Sequence, residues 1–343
     1  VLEKNNTDQS AYESQLATVQ KKLEKNNRYY QLKYRDDYPS IRELQSGLHA
    51  DQALISLNNC PDAVQVFVVT RNSFQYLKLD NGESIRKNVR EWIQILQSAE
   101  NGKHADMGKP GQVLYHQLIK PLQELAGNKT DWIVVPDGIF FLLPFESLPV
   151  DDSGGMLIEK HSLSYQFSSR FIPQNENASL DPGFRNANLS FAPFAAGAAD
   201  LQQEGMGFFG RLPDSKAEIS LLAGRQYIDR AATKQNFLRL LNQYPIVHLA
   251  THAVADMKDP DASYIAFYPA SGMRADDFLF LGELYGLRMD SCQLVVISAC
   301  ETGKGQLISN EGVMSFARAF LYAGCPSTVN SLWKADDRAT SEI

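Results

Sequence analysis

Cysteine is scarce in this 343-residue chain: there are four, Cys60, Cys292, Cys300 and Cys325, and no two stand in C-x-x-C spacing. That argues against a disulfide framework or a thiolate zinc site and suits a reducing compartment, so a cytoplasmic location is expected. Long apolar runs are missing too. Stretches such as Ile139 to Leu143 and Leu294 to Ile297 are far too short to cross a bilayer, and no membrane partner is expected. Basic charge is in deficit, with 33 Lys and Arg against 40 Asp and Glu and a net charge of -7. Phosphate binding needs a basic surface, so direct binding of nucleic acid is not expected. No segment has the form of a signal peptide, and an initiating Met is absent, Val1 standing first. The expectation is a chain whose true start lies upstream, and whose final residue, Ile343, falls a few residues into a helix that runs on.

What is present is a core-forming composition, 44% hydrophobic and 21% charged. From Gln9 to Leu32 the residues Tyr12, Leu16, Val19 and Leu23 recur at helical spacing in a polar background, which predicts a solvated helix or a connector to further helices. Strands are predicted at Ala53–Leu57, Ala63–Thr70 and Ser73–Leu79, the last two joined as a hairpin through Arg71-Asn72. Helices follow near Ser84–Gln97 and Gly111–Leu125, then a buried strand at Trp132–Pro136 and an apolar loop, Ile139–Phe145, that plugs the core. The segment from Phe171 to Asp214 turns to Gly, Asn, Ala, Gln and Pro, with one short strand at Asn188–Ala192. The loops Gly205–Pro213 and Asp256–Ala262 are expected to be mobile and to flank any site.

Regular structure then resumes. Ser215-Lys216-Ala217-Glu218 has the pattern of a capping box opening a short helix, and Thr233 caps another. Strands are predicted at Ile246–Ala250, Tyr264–Tyr268, Gln293–Ser298 and Pro326–Leu332. Asn310 is expected to cap a helix with Val313, Phe316, Ala317, Phe320 and Leu321 on one face, stopped by Gly324. Strands alternating with helices imply an α/β fold with a largely parallel sheet and helices on both faces. In such sheets functional residues gather past the carboxyl ends of the strands.

Two residues stand there. His252 follows the strand Ile246–Ala250, and Cys300 follows Gln293–Ser298. A thiol attacks a carbonyl only as thiolate, and a neighbouring imidazole can take its proton and later return it to a leaving amine. The bland alternative is two strand-end residues that merely pack. Thr302-Gly303-Lys304-Gly305 is no phosphate loop, because it lacks the first glycine and the Ser or Thr after Lys. His248 shares alternation with His252 and reads as a packed strand histidine. Cys292 and Cys325 read as core thiols, and Cys60 as a turn residue.

Several segments together resemble one family. Ile246-Val247-His248-Leu249-Ala250-Thr251-His252, and Val295-Val296-Ile297-Ser298-Ala299-Cys300-Glu301-Thr302-Gly303, are similar to the CHAT family of caspase-like domains, related to separase and the other clan CD peptidases. So are Val135-Pro136-Asp137-Gly138 with Leu143-Pro144-Phe145-Glu146, the stretch from Glu311 to Gly324, and Ser331-Leu332-Trp333 with Asp336. The 48 residues between His252 and Cys300 match the caspase spacing of about fifty.

The resemblance implies a caspase-like three-layer sandwich with a mostly parallel central sheet. It implies a helical connector over 1–50, a degenerate caspase-like half over 51–180 and a catalytic half over 181–343. It also implies a cysteine endopeptidase acting on a protein or peptide, with Cys300 as nucleophile, His252 as base, and the backbone amides of Ala253 and Cys300 facing the oxyanion. Relatives often carry glycine after the histidine, where this chain has Ala253. Trp333, Asp336 and Asp337 are implied walls of a pocket for a basic P1 side chain, against the alternative that the aspartates cap a helix. The chemistry calls for no metal or cofactor. Activation by a protein partner or by upstream tetratricopeptide repeats is implied as well. The rival reading is a catalytically silent scaffold that binds protein partners.

Overall fold

The computed structural model describes residues 38–99, 108–153, 155–172, 187–195, 209–256, 259–269, 275–299, 307–308, 312–313 and 316–332. The expected helix at Gln9–Leu32 lies outside them, as do Cys300, Asn310, Trp333, Asp336 and Asp337.

The chain opens with α1 (Ile41–Ser46), whose Ser40 and Glu43 form a reciprocal capping box. Three strands follow, β1 (Gln52–Asn59), β2 (Ala63–Thr70) and β3 (Ser73–Asp80), paired antiparallel as a meander. Alternation of Val64, Val66 and Val68 buries one face of β2, while β3 is an exposed edge. Helix α2 (Gly82–Ala99) lays Ile85, Val89 and Trp92 on that buried face. The next helical stretch is continuous but changes pitch: α3 (Gly108–Leu114) passes through a π turn at Tyr115–Ile119 into α4 (Lys120–Ala126), with Pro121 at its second position.

Strand β4 (Asp131–Val135) pairs parallel with β1, and β5 (Ser162–Tyr165) pairs parallel with β4, giving the order β3-β2-β1-β4-β5. The sequence predicts no strand at β5, an edge strand with little apolar content. Between β4 and β5 the segment predicted to plug the core does so as short 3-10 turns, with Phe140, Leu143 and Phe145 fully buried.

A second sheet starts at β6 (Asn188–Ala192), at the bounds the sequence predicts. Helix α5 (Pro213–Ser220), strand β7 (Gly224–Ile228), helix α6 (Lys234–Leu240) and strand β8 (Ile246–Ala250) follow. A small antiparallel layer then intervenes, with β9 (Ala253–Val254), β10 (Tyr264–Ala266) and β11 (Phe278–Phe280) in the order β11-β10-β9. Helix α7 (Leu281–Leu284) leads to β12 (Leu294–Ser298). The two-residue pair β13 (Leu307–Ile308) and β14 (Gly312–Val313) precedes α8 (Phe316–Ala323) and β15 (Ser327–Asn330). The sheet order is β15-β12-β8-β6-β7, and each pairing in it is parallel. This is the α/β fold with a parallel sheet that strand-helix alternation implies.

The two faces of this sheet differ chemically. Leu189, Phe191, Val247, Leu249, Val295 and Ile297 pack with α6, α7 and α8 into the main core. On the other face α5 packs Ile219 against Ala192 and Ala250. Helix α8 is described from Phe316, and Val313, expected on its apolar face, instead pairs with Leu307. It ends where expected, at Gly324, whose φ of 120° is costly for any residue with a Cβ. Helix α5 also differs from expectation. Its N-cap is Leu212, Pro213 fixes the first turn, and Ser215 sits inside the helix with its hydroxyl on the Leu212 carbonyl at 2.6 Å. Glu218 is thereby released from capping and reaches elsewhere.

Candidate functional site

Strand β8 is buried along most of its length because it is a central strand of a parallel sheet, and its Ile-Val-His-Leu-Ala sequence suits that position. It pairs in register with β12, Ile246 opposite Leu294 through to Ala250 opposite Ser298. The ladder runs one step further, Thr251 N donating to Ser298 O at 3.1 Å. His252 thus stands two residues past Ala250, just as Cys300 stands two past Ser298 in the sequence. The chain past β12 is described as far as Ala299, so the sulfur itself is outside the described residues.

Past β8 the chain is turned by local bonds. The Thr251 hydroxyl donates to Ala266 O at 2.7 Å, and Ala266 N donates to His252 O at 2.9 Å. The latter bond makes 252 and 266 a hydrogen-bonded antiparallel pair. Ala253, opposite Ile265, then falls at a non-hydrogen-bonded position, with its N–H directed away from β10.

The His252 ring is held on three sides. Phe209 stacks on it with centroids 5.2 Å apart and planes at 26°, and Phe194 lies tilted at 5.0 Å. Its Nε2 lies 2.6 Å from the Gly210 carbonyl oxygen. A carbonyl only accepts, so Nε2 carries the proton, and in the neutral ring the basic nitrogen is Nδ1. Among the described residues, aromatic packing and the Gly210 carbonyl orient the ring. Phe209 and Phe194 belong to a small cluster with Ala266 and Tyr268, against which Tyr264 and Phe278 pack. Leu212 N donates to Phe194 O at 2.8 Å, tying the Gly210 loop to the end of β6.

His248 does not line the same cleft. It is buried, its Nε2 donating to Glu218 Oε1 at 2.6 Å, while the Ser298 hydroxyl donates to Glu218 Oε2 at 3.1 Å. Strand β15 reaches the same edge of the sheet, where the Ser331 hydroxyl donates to Ala299 O at 3.0 Å. Cys292 and Cys325 are buried core thiols, and the Cys292 thiol is pushed far up, first by hydrogen bonding with Cys325 and then by burial. Cys60 is half-buried.

Among the predicted site residues, His252 and Ala253 are described, and Cys300, Trp333, Asp336 and Asp337 are not. Sequence reasoning missed Phe194, Gly210, Glu218, Ser298 and Ser331. None carries a local signal: each acts through a contact with a residue more than 30 positions away. Among the described residues no group of His, Cys, Asp and Glu is arranged to hold a metal ion, and no helix is long and apolar enough to cross a membrane.

A cavity of about 1110 Å³ lies between the two large sheets, lined by edge strands β5 and β15 together with Ile133, Phe141 and Leu321. It is set apart from the residues that hold His252.

Comparison with known proteins bears on this arrangement. Tetratricopeptide repeat protein 28 of Homo sapiens is 24% identical over 376 residues, covering 94% of this chain and 15% of that protein. The Mus musculus protein of the same name is 23% identical over 269 residues, covering 65% of this chain and 11% of its own length. The chain therefore spans only a small part of these curated relatives. The CHAT domain model matches residues 108–343, well over half the chain and including the whole parallel sheet. This protein belongs to the CHAT domain family, whose fold is caspase-like.

Proposed function

We propose that this chain is a cysteine endopeptidase in which Cys300 and His252 form the catalytic dyad. The observation that carries the reading is the tethered imidazole at the carboxyl end of β8, beside and in register with the strand that leads to Cys300. With Nε2–H committed to Gly210 O, Nδ1 takes the thiol proton. The thiolate adds to the scissile carbonyl carbon, and backbone N–H groups of Ala253 and Cys300 stabilise the oxyanion. The C–N bond breaks, the imidazolium gives its proton to the leaving amine, and a thioester remains. His252 then deprotonates water, which attacks the thioester and releases the acid and the thiol. Trp333, Asp336 and Asp337 follow β15, whose end is tied to Ala299, and serve a basic P1 side chain of the substrate. The substrate is a protein or peptide, with regulation by a protein partner or by tetratricopeptide repeats upstream, in a cytoplasmic setting. In this reading the sheet β3-β2-β1-β4-β5 is a degenerate caspase-like half that supports the second.

The test is a peptide probe carrying a thiol-reactive group and a P1 Lys or Arg, applied to the protein with and without upstream repeats. Labelling is expected in wild type and lost in Cys300→Ala. Absence of labelling at Cys300 under every activating condition would overturn the peptidase reading in favour of a silent scaffold.

A further inference from the structure

We infer that Glu218 is the positioning residue of the site, one buried carboxylate that sets both strand ends and the loop holding the imidazole. The inference deepens the Cys300–His252 reading and rests on it. Glu218 sits on α5, on the sheet face opposite the main core, and it and His248 are each 9% exposed. Its two oxygens engage two different strands: Oε1 takes the His248 Nε2–H of β8 at 2.6 Å, and Oε2 takes the Ser298 hydroxyl of β12 at 3.1 Å. His248 lies four residues before His252, and Ser298 two before Cys300.

A buried carboxylate is tolerated only when hydrogen-bonded, and here each bond fixes the strand that supplies one dyad member. The same helix governs the third element. Only Arg211 and Leu212 separate Gly210 from its first residue, Pro213, and Ser215 locks that entry through the Leu212 carbonyl. Gly210 O in turn decides which imidazole nitrogen holds the proton. Among the described residues, the side-chain partners of Glu218 are His248 and Ser298, not His252. Glu218 ties α5, β8 and β12 close to the imidazole and its acceptor carbonyl, and two residues before the cysteine in the sequence. A misplacement on the order of 1 Å costs about 100-fold in rate, so the tie has leverage on chemistry as well as on folding.

Three substitutions at one position test this. Glu218→Gln keeps the side-chain length. Its Oε1 still accepts from His248, and the Ser298 hydroxyl rotates to accept from the new amide. Glu218→Asp is one methylene short, and Glu218→Ala removes both bonds. Expected is kcat within about 3-fold of wild type for Gln, and a fall of roughly 10- to 100-fold for Asp and Ala, with KM changed by less than about 3-fold. The ¹⁵N resonances of the His252 ring should keep the Nε2–H signature in Gln and move toward a tautomer mixture in Asp and Ala.

A folded Ala variant with wild-type kcat and unmoved His252 resonances would overturn the inference. If Glu218→Ala does not fold, Ser298→Ala decides it: unchanged kcat and resonances refute the inference, and a fall in kcat with moved resonances supports it. Wild type that cuts nothing, while His252 resonances still shift in the Asp variant, would sink the peptidase reading and leave the positioning role standing.

Discussion

The imidazole Nε2–H of His252 donates to the carbonyl of Gly210 at 2.6 Å, and the Phe209 ring stacks on the same imidazole. Together they fix the ring's tautomer and plane. At neutral pH His252 should therefore show the Nε2–H tautomer in ¹⁵N-detected spectra. A dominant Nδ1–H form would contradict this geometry.

His252→Ala removes the proton acceptor while leaving β8 intact, since the strand ends at Ala250. Acylation of Cys300 by a peptide probe should slow by about 10²–10⁴-fold, with the melting temperature little changed. Probe kinetics beside a thermal melt check both halves of the expectation.

Cys292 and Cys325 are sealed in the main core at 1% and 0% exposure, and the Cys292 thiol is held far above its ordinary range by the Cys325 thiol and by burial. Neither should be alkylated by iodoacetamide in the native protein, whereas both should react once urea has unfolded it. Rates roughly 100-fold below that of a free cysteine are expected natively, read by mass spectrometry.

Gly224 opens β7 at φ 129°, and a Cβ there would lie 2.3 Å from the backbone oxygen of Asn188, its partner on β6. Both the conformation and the close approach penalise a side chain. Gly224→Ala is expected to lower stability by about 2–4 kcal/mol in urea titrations. A loss within error would show that β6 and β7 separate without cost.

His161 packs on Trp132 with ring centroids 4.4 Å apart, and burial is the main cause that pushes its pKa below 6.5, offset in part by a bond to the Lys129 backbone. The folded state therefore prefers the neutral ring. Its contribution to stability is fully present above the unfolded pKa and is lost as pH falls from about 6.5 through the folded value. His161→Phe should flatten the urea midpoint over that window, and an unchanged slope would assign the acid sensitivity to other groups.

Legibility in the sequence followed the range of the interaction. Strands β2, β6 and β8 stand at the bounds their apolar patterns predict, because a strand buried on one or both faces writes itself into consecutive residues. The Thr233 cap was readable for the same reason, its hydroxyl accepting from Asn236 N three residues on. Local patterns misled where a distant partner competed. Ser215 and Glu218 have capping-box spacing, yet Pro213 starts the helix earlier and His248 and Ser298 claim the carboxylate. Val313 has helical spacing with Phe316, yet it pairs with Leu307.

By itself, the sequence determined that a histidine and a cysteine each follow an apolar strand, in an α/β chain whose motifs resemble one family. Only the tertiary structure decided that β8 and β12 are parallel neighbours in register, that the Gly210 carbonyl accepts from His252, and that Glu218 bridges both strands. The division has a physical cause. Periodicity encodes which face of an element is buried, but hydrogen bonds between segments 30 to 80 residues apart depend on how helix and sheet dock, and no local pattern records that.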